Sequence, residues 1–206
     1  RLEPGGLVST WLPVDLPPEY LRVVLATWIS VFPESSFWLP TNCLNKHGVL
    51  VGSLEPQDGA VERLARGGWP EPVRESLAEL GYDLPELFAS IRVLDAADLR
   101  ALAAGAPITS DDHPILEYPA RGVEIAGEDH WRESVRLILG RMGPPRPGTR
   151  PPDPGECVRR VLSGQLALFD GDADLALGFY ERAAAADPRH PGPRALRDDI
   201  LVFRAQ

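Results

Sequence analysis

Six prolines and three glycines fall within fourteen residues of this chain, positions 143–156, which read Gly143-Pro144-Pro145-Arg146-Pro147-Gly148-Thr149-Arg150-Pro151-Pro152-Asp153-Pro154-Gly155-Glu156. Each proline removes a backbone donor and fixes one dihedral, so a run this dense sustains neither a helix interior nor a central strand. It is the natural division of a 206-residue chain. The sequence predicts a domain over 1–142, a Pro/Gly-rich linker over 143–156 and a helical tail over 157–206.

Charge narrows the partners. Lys plus Arg number 21 against 30 Asp plus Glu, a formal balance of −9, and so acidic a chain repels phosphate backbones. Nucleic acid is therefore not an expected partner. No apolar run approaches the roughly 18 residues that span a bilayer, and no basic segment followed by an apolar stretch opens the chain. The expectation is a soluble, cytoplasmic segment without direct membrane insertion. Cys43 and Cys157 lie far apart with no second metal-ligating residue at zinc spacing, so they read as buried free thiols. His47, His130 and His190 likewise lack a second ligand, and no metal is expected. The five tryptophans, Trp11, Trp28, Trp38, Trp69 and Trp131, read mainly as core.

Local patterns fill in the elements. Gly5-Gly6 precedes Leu7-Val8-Ser9-Thr10-Trp11-Leu12, a largely buried strand closed by Pro13. Pro17 and Pro18 suit the first turn of a helix whose Leu21, Val24, Leu25, Trp28 and Phe32 form one apolar stripe, ended by Pro33. Strands over 35–39 and 49–54 are close enough to pair antiparallel. Short helices follow over 60–66, 72–80, 84–91 and 96–104, the last capped by Asp95. A polar loop, Ile108-Thr109-Ser110-Asp111-Asp112-His113-Pro114, leads into a short strand, Ile115-Leu116-Glu117-Tyr118. From Glu128 another helix places Trp131, Val135, Ile138, Leu139 and Met142 on one face. The tail reads as two or three helices.

The loop admits two readings. Asp111 and Asp112 offer carboxylates to an ammonium group and His113 offers a proton carrier near neutral pH; alternatively the aspartates shape a turn and Pro114 starts the strand.

Over residues 1–120 the order of Leu2-Glu3-Pro4-Gly5-Gly6-Leu7-Val8, Val31-Phe32-Pro33, Val49-Leu50-Val51-Gly52-Ser53 and Thr109-Ser110-Asp111-Asp112-His113-Pro114-Ile115-Leu116-Glu117-Tyr118 resembles the C-terminal half of spermidine synthase-like proteins. These are aminopropyltransferase relatives in polyamine biosynthesis, built on the Rossmann-like methyltransferase fold. The resemblance implies an α/β fold that begins in mid-domain at Arg1 and supplies the last strands, their covering helices and one wall of the substrate cleft. It implies no catalytic residue and no cofactor-binding residue in this segment: decarboxylated S-adenosylmethionine or S-adenosylmethionine would be held mainly by an upstream segment, since no glycine-rich cofactor loop follows a strand here. Trp11, Asp111, Asp112 and His113 are the expected substrate-side residues. The chain departs from the polyamine synthases at Trp11-Leu12-Pro13, where a Gln and an acidic residue are usual, and at Ile108-Thr109, where Tyr-Asn is usual. Joined to its upstream half, the segment would act as an aminopropyltransferase-type transferase. Members of the family can follow a membrane-embedded region, so the parent protein is a candidate for tethering. A half sheet also leaves an apolar face and an open edge, to be covered by the upstream half or by a homo-oligomer partner.

The tail resembles a tetratricopeptide repeat over about 157–190. Gly164, Gly171, Ala176, Tyr180, Ala183 and Pro188 stand where such a repeat places small residues, a turn, an aromatic and a terminal proline. A final helix over 194–203 would cap it; the plainer reading is a helical hairpin that docks on the first domain. A second functional class follows from the tail: a noncatalytic interaction or oligomerisation module that captures a protein partner through these helices, with the sheet as scaffold.

Overall fold

The computed structural model describes residues 2–41, 46–56, 66, 69–82, 84–115, 128–142 and 152–204. The fold is mixed α/β. Among the described residues are eight helices and one four-stranded sheet. The chain packs as two units that interleave along the sequence: Arg1–Leu39, Lys46–Gln57 and Val93–Met142 form one, and Pro40–Asn45, Asp58–Arg92 and Gly143–Gln206 the other. Packing thus groups 58–92 with the helical tail, where chain order alone suggests consecutive domains.

In the first unit β1 (Val8–Pro13) leads through α1 (Pro18–Val31) to β2 (Glu34–Trp38), and β3 (His47–Ser53) returns between them. The sheet order is β1-β3-β2-β4, with β4 spanning Arg92–Leu94. β3 is antiparallel to both neighbours, with Trp11 opposite Val49 and Phe37 opposite Leu50, so β1 and β2 run the same way. The expected antiparallel pairing of the second and third strands is present. β4 is too short for any alternation to announce it, and sequence reasoning missed it.

Residue alternation gives the sheet two unlike faces. Leu12, Leu50 and Phe37 are buried on one face. α1 covers this side, and a Cβ at Gly52 would sit 2.7 Å from Phe32 and 3.0 Å from Trp28, so glycine permits the close approach. α4 (Ala96–Ala103) packs on α1 and β2; Asp95 caps its N-terminus as the sequence predicts, and Asp98 completes a capping box. α5 (Glu128–Arg141) adds Trp131, Val135 and Ile138, all buried, and Ser134 donates to the Leu16 carbonyl at 3.0 Å. Trp11, His47, Val49, Val51 and Trp38 share the other face and keep part of their surface exposed. β1 is therefore not the largely buried strand its apolar run suggests: Ser9, Thr10 and Trp11 are exposed, and among the described residues β1 is the terminal strand of the sheet. Of the five tryptophans only Trp131 is fully buried.

The second unit contains α2 (Glu71–Glu79), α3 (Pro85–Ser90), α6 (Pro154–Phe169), α7 (Ala173–Ala186) and α8 (Gly192–Arg204). Gly164 lets α6 and α7 close, since a Cβ there would lie 2.5 Å from the Tyr180 ring. Gly171, at φ +83°, makes their turn. Cys157, Val161, Ala176, Tyr180, Ala183, Leu196 and Ile200 form the core of this bundle. α6 starts inside the expected linker: Asp153 caps it through the Glu156 amide, and Pro154 sits in its first turn, where a missing N–H costs nothing. The remainder of the linker that is rich in proline, 143–151, lies outside the described residues, as do Cys43, most of the helix expected over 60–66 and the strand expected from Leu116.

Candidate functional site

The turn that carries Asp111, Asp112 and His113 is built outward from α1. Arg22 donates to the Leu102 and Ala104 carbonyls at 3.0 and 2.6 Å, closing the C-terminal end of α4. Gly105, at φ +77°, turns the chain out of the helix. The Thr27 hydroxyl then accepts the Thr109 amide at 2.9 Å while donating to the Val23 carbonyl at 2.8 Å. From that anchor Ser110 and His113 exchange backbone hydrogen bonds of 3.2 and 2.9 Å, leaving Asp111 and Asp112 as the two central residues. The Thr109 hydroxyl donates to the His113 carbonyl and accepts the Ile115 amide, at 3.3 and 3.2 Å.

This network decides what shapes the turn. Thr109 and the backbone do so, and the aspartate side chains take no part in the described hydrogen bonds. Asp111, Asp112 and His113 are all exposed. Two adjacent carboxylates held by a braced backbone, with an imidazole beside them, can receive a cationic group and exchange its proton.

Trp11 is not part of that cluster. Trp11 is 61% exposed, and its indole stacks on His47 with centroids 4.1 Å apart and planes at 26°. Both rings stand on the sheet face opposite α1, whereas the turn is tied to α1. The fold joins Asp111, Asp112 and His113 and places Trp11 with a residue the sequence reading had set aside, His47. Sequence reasoning also missed Thr27, Arg22 and the bracing role of Thr109. Their bonds join residues about 80 positions apart, and no local pattern signals them. At the amino end of β1 and the carboxyl end of the antiparallel β3, a cavity of about 720 Å³ has Val8, Val31 and Phe32 as its apolar wall and Glu3 and Glu55 among its polar groups.

Among the described residues no group of three or more His, Cys, Asp or Glu side chains is placed to hold a metal ion, and no helix is long and apolar enough to cross a membrane. Comparison with protein-family models, curated proteins and solved structures returns no match, so the chemistry of the residues carries the functional reading.

Proposed function

We propose that the chain is the C-terminal portion of a spermidine synthase-like protein, contributing sheet strands and one wall of an amine-binding cleft and not catalytic alone. The observation that carries this reading is the strand arrangement. β1 and β2 run parallel and are joined by α1, the crossover unit of α/β folds, with β3 antiparallel between them. Among the described residues β1 ends the sheet order, and it bears no charge and no proline before Pro13 that would blunt a free edge. An edge of this kind accepts another strand, which in this reading comes from the upstream half of the same domain or from a second copy. Decarboxylated S-adenosylmethionine, or S-adenosylmethionine, would be bound mainly by that upstream half.

In the assembled cleft Asp111 and Asp112 replace the hydration of an ammonium group and His113 exchanges its proton. The tail is read as a tetratricopeptide-like hairpin, supported by Gly164, Ala176 and Ala183 at the α6–α7 contact and by the Gly171 turn. The test uses the chain joined to its upstream half: replacing both Asp111→Asn and Asp112→Asn should raise KM for putrescine about tenfold and leave KM for decarboxylated S-adenosylmethionine unchanged. An unchanged amine KM rejects the assignment of the turn.

A further inference from the structure

The junction between α7 and α8 holds a histidine in a setting that only its neutral form satisfies. His190 is fully buried. Its Nδ1 accepts the Gly192 amide at 3.1 Å, in the first turn of α8, so the ring proton resides on Nε2, which is buried without a hydrogen-bond partner. The ring meets Tyr82 edge-on at 6.0 Å, and the Tyr82 hydroxyl accepts the Thr41 amide at 3.3 Å. Beside it Asp187 is fully buried and takes Arg189 in two side-chain hydrogen bonds of 2.9 and 2.8 Å, while Arg189 also donates to Glu86 of α3 at 2.5 Å. On the adjoining α6, Cys157 feels the Asp187 charge. Gly81 presses on the next residue, Pro191, within 2.6 Å of where a Cβ would stand. Gly81, Tyr82 and Glu86 are thereby joined to the start of α8 through Pro191, His190 and Arg189.

We propose that His190 is an acid-sensitive latch that holds α8 on the hairpin at neutral pH and releases it on protonation. A proton on Nδ1 converts the acceptor of the Gly192 amide into a second donor, so the bond that closes the first turn of α8 is lost and two donors face each other. The imidazolium would also stand in a desolvated site. Asp187 is the one charge that favours it, and that carboxylate is already occupied by Arg189. Burial dominates and lowers the His190 pKa below 6.5. The sign follows: the neutral ring contributes stability above the unfolded value, and that contribution is lost as pH falls from 6.5 toward the lower folded value. Release of α8 uncovers Leu196 and Ile200 together with the face of the hairpin that they cover.

The test is amide hydrogen exchange on the full chain at pH 7 and pH 5, corrected for intrinsic rates. Protection of α8 should fall about tenfold relative to that of α1 in the other unit. In His190→Asn, a side-chain oxygen can still accept the Gly192 amide but does not titrate, and protection should not change with pH. Should that variant fold poorly, the His190 ring resonance of the unaltered chain, followed by NMR, decides: a midpoint below 6.5 that coincides with loss of α8 protection supports the latch. A midpoint at 6.5 or above, α8 protection independent of pH, or the same pH dependence in folded His190→Asn overturns it.

Discussion

Gly164 shows how one missing methyl group sets the spacing of two helices. Alanine is the better helix former by roughly 1 kcal/mol, but its Cβ would lie 2.5 Å from a fully buried Tyr180 ring that has no room to retreat. Overpacking of this kind costs about 1–3 kcal/mol, of which the propensity gain offsets roughly 1, so Gly164→Ala should destabilise the second unit by up to about 2 kcal/mol in urea unfolding. Burial also pushes the Cys157 thiol up to about 12, with Asp187 and Asp153 adding to it, and thiol-reactive reagents should modify this residue only as the unit unfolds. Asp187 responds differently. Burial works to raise its pKa, but the hydrogen bonds from Arg189 outweigh it and hold the carboxyl below its ordinary range. Its contribution is present at neutral pH and is lost as pH falls below the ordinary aspartate value toward the lower folded one.

Among elements, helices with a clear apolar stripe were legible in sequence: α5 buries Trp131, Val135 and Ile138 as its spacing selects, whereas α1 buries Leu21 and Leu25 of its stripe together with Tyr20 and Val23 and leaves Val24, Trp28 and Phe32 half-buried. β1 was legible as a strand but not as an edge. Six residues with apolar members look alike whether a strand is central or terminal, and only pairing partners distinguish the two. The consequence is measurable. Trp11→Ala should cost no more than about 1 kcal/mol, mostly the stack on His47, whereas Trp131→Ala should cost about 3–5 kcal/mol. The Asp-Asp-His-Pro loop was legible as a polar turn, and its braces were not, because Thr27 and Arg22 act across long sequence separations. Thr109→Val removes one donor and one acceptor from that brace. It should lower protection of the Ile115 amide about tenfold and destabilise the turn by about 1 kcal/mol.

For the molecule as a whole, the density of proline over 143–156 divides the chain in sequence, whereas packing does not follow chain order. Residues 58–92 join the helical unit, with Glu86 paired to Arg189 and Tyr82 set against His190. The helical tail therefore packs with a segment that precedes the Asp-Asp-His turn in sequence. The first unit presents a parallel crossover, an unblunted terminal strand and a braced pair of free carboxylates, the features that support a partial aminopropyltransferase-type domain. Aminopropyl transfer from decarboxylated S-adenosylmethionine to putrescine tests this most directly, assayed with the 206-residue chain alone and with the same chain joined to its upstream half. The account predicts no turnover by the chain alone and turnover by the joined protein. Turnover by the chain alone, or none by the folded joined protein, would contradict it.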